Sequence, residues 1–185
     1  LPAAKAVLGK SSRYSVRIDC RSATSKPDNS LISALMETMV AKGVQPWDIN
    51  LWDKRQVEAD RAGYSLVVNG ETQQVKAVES ENYRSNLKMS GYSKKTIYRP
   101  QWFDNKSKFP LVDHLTGKNS NLVFTTPKYH DLCGIDGALA SAALGSVARS
   151  GKLINSPENM VRAICEIWKK YLLKKNILTV VDATS

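Results

Sequence analysis

The densest set of chemistry-bearing side chains in this sequence is His130-Asp131-Leu132-Cys133-Gly134. A cysteine attacks through its thiolate, which needs a base within reach, and His130 stands three residues from Cys133. Thiol hydrolases draw that pair from distant parts of the chain, so this local spacing matches no hydrolase pattern. A small buried Cys133 at a turn is the simpler reading. The following Gly134-Ile135-Asp136-Gly137 lacks the lysine and the wider glycine spacing of a phosphate loop. His114 beside Asp113 reads as an ordinary exposed pair.

Cys20, Cys133 and Cys165 are odd in number and far apart, which argues against a disulfide framework and for a reducing compartment such as the cytoplasm. Cys-x-x-Cys and His-x-x-x-His spacings are absent, and the acids are scattered, so neither a structural metal nor a carboxylate-based nuclease centre is expected. No cofactor is implied. The sequence points to binding and assembly, not to an enzyme.

Charge is the stronger signal. The 185 residues carry a net charge of +10, and 42% are hydrophobic, enough for a real core. Between positions 82 and 128 stand nine cations, Arg84, Lys88, Lys94, Lys95, Arg99, Lys106, Lys108, Lys118 and Lys128, against two acids, Asp104 and Asp113. Tyr83, Tyr92, Tyr98, Trp102, Phe103, Phe109 and Phe124 thread the same stretch. Such a surface suits a phosphate backbone, a nucleoprotein or an anionic membrane. Aromatics in a loop-rich region more often anchor a small core than stack on bases, and that reading stands beside the binding one. A second basic group, Lys169, Lys170, Lys174 and Lys175, crowds the end of the last helix, where it complements the helix dipole and leaves a phosphate or lipid contact open.

The elements that must position these groups are legible in part. Tyr14, Val16, Ile18 and Cys20 alternate with Ser15, Arg17 and Asp19, which predicts a strand with its apolar set inward and its charged set outward. A helix follows, with Ser30 as cap, Leu31, Ile32, Leu35, Met36, Met39 and Val40 as stripe, and Gly43 as stop. Trp47, Ile49 and Leu51 predict a short strand, and the mixed charges from Asp53 to Arg61 a solvated helical turn or an exposed loop. Asn69-Gly70 between two β-prone runs predicts a hairpin over 64–78 and hence an antiparallel sheet. The Ala-rich run from Gly137 to Arg149 predicts a helix whose small side chains allow close approach to a second subunit or, the preferred reading, to the sheet. Ser156 and Pro157 open the last helix, whose predicted buried face holds Met160, Val161, Ile164, Ile167, Trp168, Tyr171 and Leu172. Ile177 to Val181 reads as a terminal strand.

The expected architecture is a single α+β domain over 13–185, an antiparallel sheet with two or three packed helices, preceded by an N-terminal arm over 1–12. Leu1, Val7 and Leu8 in that arm have no local core and are expected to dock on a neighbouring subunit.

This layout resembles the globular core of a rhabdovirus matrix protein. The resemblance is carried by the basic-flanked strand Arg13-Tyr14-Ser15-Val16-Arg17-Ile18-Asp19-Cys20-Arg21-Ser22, the Leu31 to Val40 helix, and the Met160 to Lys175 helix running into Ile177-Leu178-Thr179-Val180-Val181-Asp182. It covers about a third of the chain. Pro-Pro-x-Tyr motifs of animal members are absent from these residues, which a plant-infecting member or a chain lacking its arm would explain. The resemblance implies a virion structural protein that self-associates, condenses the viral nucleoprotein–RNA, and contacts an anionic membrane or an envelope glycoprotein tail in the virion and host cytoplasm. The alternative is a small RNA-binding coat protein or RNA-binding suppressor with direct phosphate contacts.

Overall fold

The computed structural model describes residues 13–20, 26–64, 66–68, 71–73, 75–79, 91–104, 106–116, 120–127 and 137–182. Strand β1 (Arg13–Ile18) leads to helix α1 (Asn29–Ala41), and a 3-10 turn then feeds β2 (Ile49–Arg55) and the short α2 (Gln56–Ala62). β3 (Leu66–Val68) and β4 (Glu71–Gln73) pair with each other, and β5 (Lys76–Glu79) follows. A second hairpin joins β6 (Tyr92–Tyr98) to β7 (Phe109–Val112) and precedes β8 (Ser120–Pro127). Helix α3 (Gly137–Gly145), a 3-10 turn (Ser150–Ile154), helix α4 (Pro157–Ile167) with a π turn over Trp168–Leu172, and β9 (Asn176–Asp182) complete the order.

Among the described residues, five strands form one sheet in the order β5-β2-β1-β8-β9, and every neighbouring pair in it is parallel. The expected antiparallel α+β architecture is therefore corrected to an α/β fold. Asn69-Gly70 lies outside the described residues, but β3 and β4 on either side of it pair antiparallel, in a two-stranded unit apart from the main sheet. The run from Thr72 to Val78 is divided, its first half in that hairpin and its second half in β5, at the parallel sheet's edge.

Parallel strands need crossover connections, and the crossovers cover both faces. On one face α1 lays Ile32, Met36 and Met39 against Tyr14, Val16, Ile18, Leu51 and Val123. On the other, Trp52, Leu122 and Phe124 meet α3, α4 and the β6–β7 hairpin through Ala140, Ala143, Met160, Ile164, Tyr98 and Leu111. The Ala-rich α3 lies on the sheet as expected, because small side chains allow close approach. α3, α4 and the β6–β7 hairpin cover the face that holds β1's charged set, so it cannot face water: Ser15, Arg17 and Asp19 are as buried as Val16 and Ile18. The expectation of an outward charged face fails for that reason.

Helix ends follow local chemistry. Asp28, not Ser30, caps α1, accepting the Ser30 amide at 2.7 Å, and Gly43 leaves the helix at φ +92°, a conformation that favours glycine. Ser156 caps α4 and Pro157 sits in its first turn, as the sequence predicts. Ile164 is buried, but Trp168 is only half-buried, its Nε1 donating to the Leu139 carbonyl at 3.0 Å, and Val161 is exposed. The buried stripe is narrower than predicted because α4 packs on one side only. No described helix is long and apolar enough to cross a membrane.

Candidate functional site

Five strands taken in chain order lie in space as 3-2-1-4-5, so the chain reverses its direction of travel between β1 and β8. In open α/β sheets of this kind the carboxyl ends of the strands near such a reversal form the crevice where ligands sit. That edge of this sheet carries ionisable groups out of contact with water.

Arg17, Asp19 and Asp53 are 2%, 0% and 0% exposed. Asp19 directly follows β1, and Asp53 lies near the end of β2. The Arg17 guanidinium approaches Asp53 Oδ1 at 3.2 Å and Asp19 Oδ1 at 3.9 Å. Its Nη1 donates to the carbonyl and hydroxyl of Ser141 on α3, at 3.0 and 2.7 Å, and the Ser141 hydroxyl donates onward to Asp19 Oδ2. The Cys20 amide donates to Asp53 Oδ2 at 3.1 Å. Thr125 on β8 donates to the Arg17 carbonyl at 3.0 Å, joining β8 to the cluster.

Two carboxylates face one guanidinium, and the cluster's electrostatics follow from that imbalance. Burial pushes the Asp53 carboxyl up to about 6, with Asp19 adding to the rise while Arg17 and the amides of Lys54 and Cys20 oppose it. Burial works against the Arg17 charge, but Asp19 and Asp53 hold its pKa above the ordinary value. The Cys20 thiol is driven far up, first by burial and then by Asp53, so it is no nucleophile.

A cleft of about 160 Å³ opens beside the cluster, lined by Arg17, Lys54, Arg55, Glu58, Leu144, Gly145, Ser150, Gly151 and Ile154. Lys54 donates to the Val147 carbonyl at 3.0 Å and to Ser150 Oγ at 2.8 Å, which fixes the turn after α3 against β2. Arg55 pairs with Glu58 at 2.9 Å on the exposed rim. A Cβ at position 145 would lie 2.4 Å from Arg17 Cζ, so only glycine lets α3 pass over the guanidinium.

The residues predicted to bind fall elsewhere. Lys94, Lys95, Arg99, Lys106 and Lys108 are exposed on or beside the β6–β7 hairpin, and Lys169, Lys170 and Lys174 are exposed at the end of α4. The two groups meet where Lys170 Nζ stands 6.0 Å over the Tyr98 ring, while the same ammonium pairs with Glu166 at 3.3 Å. Lys175 differs: half-buried, it donates to the Leu115 carbonyl at 2.6 Å, and burial lowers its pKa. Arg84, Lys88, Lys118, Lys128, the His130–Cys133 cluster, and Leu1, Val7 and Leu8 lie outside the described residues. Of the interleaved aromatics, Tyr92, Tyr98, Phe109 and Phe124 are buried and Trp102 and Phe103 pack on the same core, so these rings anchor structure rather than offering stacking faces. His114 is half-buried, 6.1 Å from the Trp52 ring.

Sequence reasoning missed the buried cluster altogether. The available signal was the order strand, helix, strand, with an acid at the end of each strand: Asp19 in Val-Arg-Ile-Asp and Asp53 in Leu-Trp-Asp. A helix between two strands is a crossover, which makes the strands parallel and brings both acids to one edge. Among the described residues no group of three His, Cys, Asp or Glu could hold a metal ion.

Fold and cluster together define a doubly wound α/β domain with a polar centre at its carboxyl edge. Comparison with protein-family models, with curated proteins and with solved structures found no match to this chain.

Proposed function

We propose that the protein is a ligand-binding α/β domain that receives a small molecule at the carboxyl edge of its sheet, where β2 and the end of α3 frame a cleft. One observation carries the reading: Arg17, Asp19 and Asp53 are almost wholly out of water, yet Arg17 also lines an open cleft. Holding ions in a protein interior costs several kcal/mol each, and well-packed apolar residues would commonly be as stable. An ionic centre at the ligand-bearing edge of such a sheet fits a role in binding better than one in folding alone. The function is argued from this site, since the fold by itself is compatible with many.

The test is amide hydrogen exchange on the full chain with a panel of nucleotides, sugar phosphates, carboxylic acids and amines. Slowed exchange in segments 53–58 and 141–154 is expected for at least one class. Protection that maps only to 92–108, or to no part of the carboxyl edge, would overturn the reading.

A second reading rests on the outer basic face. Lys94, Lys95, Arg99, Lys106 and Lys108 on the hairpin layer and Lys169, Lys170 and Lys174 on the α4 end are all exposed, with few acids among them. This supports loose association with a polyanion, and the ribonucleoprotein or membrane contacts implied by the matrix-protein resemblance would fall to this face.

A further inference from the structure

We infer that the cleft beside Arg17 is an oxyanion subsite that takes the phosphate headgroup of the ligand; the inference rests on the carboxyl-edge reading above and names the chemistry of its occupant. Three segments bring donors to one small space. β1 supplies the Arg17 guanidinium, β2 supplies Lys54 and Arg55, and the turn after α3 supplies Ser150. Glu58 is the one carboxylate in the lining, and it is held by Arg55 at 2.9 Å on the rim.

The independent sign of an occupant is the Nε of Arg17. It is buried and has no hydrogen-bond partner among the described residues, although the guanidinium's other nitrogens are engaged by Ser141 and the two aspartates. A buried donor left unpaired carries a real penalty, and few persist in folded proteins without a reason. Gly145 passes close over that nitrogen: a Cβ there would stand 2.7 Å from Nε. The same glycine lines the cleft, so Nε lies beneath a bare backbone at the cleft wall, which only a small shift of that turn would open.

Ser150 is set up to donate as well. Its Oγ accepts from Lys54, which turns the hydroxyl proton to other use. Guanidinium, ammonium and hydroxyl donors arriving from three segments match the several acceptor oxygens of a phosphate. At about 160 Å³ the cleft is far smaller than the ~300–1,000 Å³ of a site for a whole drug-sized molecule, and suits a headgroup whose remainder extends outward.

The experiment is an isothermal titration of the full-length protein with inorganic phosphate, adenosine monophosphate, adenosine and acetate, with folding checked by circular dichroism. Both phosphate-bearing probes are expected to bind, and Arg55→Gln and Ser150→Ala each to weaken them roughly tenfold. Both substitutions are at partly exposed positions outside the buried cluster, so they test the cleft without dismantling Arg17. A Lys94→Gln/Lys95→Gln variant should bind phosphate unchanged. Equal weakening by the cleft and hairpin variants would mean diffuse charge attraction and overturn the subsite. Acetate binding as tightly as phosphate would overturn the phosphate assignment. If adenosine bound and protected segments 53–58 and 141–154 while phosphate did not, the subsite would fall and the carboxyl-edge reading would stand.

Discussion

Arg17 and Lys94 carry the same charge in opposite settings, and the contrast separates what holds this protein together from what decorates it. Arg17 sits 2% exposed in a central strand, bound to two carboxylates and a serine across three elements. Lys94 and Lys95 stand exposed on the β6–β7 hairpin, which covers the sheet with its buried face and turns its cations outward. The inner cation is tied to the fold through every partner it has, whereas the outer ones contribute to the field around the molecule. Overall charge, which drew attention to the outer face, says nothing about the inner one.

The sharpest way to break the comparison is to remove the inner charge. Arg17→Met leaves Asp19 and Asp53 buried without their counter-ion, and should cost about 3–5 kcal/mol in urea unfolding. Adding Asp19→Asn and Asp53→Asn to that variant should recover much of the loss, because the triple variant buries no unpaired charge. Gly145→Ala should act on the same cluster from the other side, costing roughly 1–3 kcal/mol as the new methyl displaces the guanidinium. If the triple variant were no more stable than Arg17→Met alone, the electrostatic account of the cluster would be wrong.

The outer elements were legible in the sequence because local rules set them. Ser156 and Pro157 fix the start of α4 by capping, Gly43 ends α1 by its backbone freedom, and β3 pairs with β4 close along the chain, all within a few residues. The inner region was misread because its meaning depends on neighbours far along the chain. Alternation in Arg13 to Cys20 looks like a half-exposed strand, and only the layers packed on both sides of the sheet turn both of its faces inward. Ser141 meets Arg17 across 124 residues, a contact no window of sequence contains. The antiparallel expectation fails for the same reason: a hairpin signal describes one pair of strands, while the strand–helix–strand order of β1, α1 and β2 points to parallel pairing in the main sheet.

The next effect is a pH dependence confined to the inner site. The Asp53 carboxyl titrates near 6 when folded, against an ordinary value of 3.8, so the folded state holds the extra proton between those limits. Stability tied to this group is therefore greatest at the acid end of that window and falls as pH rises to about 6, with no further change above it. The amplitude is on the order of 3 kcal/mol. Asp104 acts in the opposite sense: hydrogen bonds from Ser107 lower its pKa, which favours the folded state at higher pH. The measurement must accordingly be a difference, taking urea midpoints from pH 4 to 7 for the native chain and for Asp53→Asn. The asparagine variant should lack the fall. Parallel curves would mean that Arg17 keeps Asp53 ionised throughout.

The smallest effect on stability is expected at the outer face, and there the readout shifts from folding to binding. Reversing charge at Lys94, Lys95 and Arg99 together should alter stability by less than ~0.5 kcal/mol per position, since exposed substitutions away from packed features seldom exceed that. Association with a polyanion should nonetheless weaken, because each lost phosphate contact lowers the slope of log affinity against log salt by about 0.7–0.9. Three reversed cations that had all touched phosphate would flatten the slope by about 2–3. Filter binding of single-stranded RNA across salt concentrations gives that slope directly, and anionic vesicles provide the same reading for a membrane. An unchanged slope with the fold intact would clear the hairpin of any binding role. Attention would then pass to Lys169, Lys170 and Lys174, where Glu166 already claims Lys170 and leaves fewer charges to meet a partner.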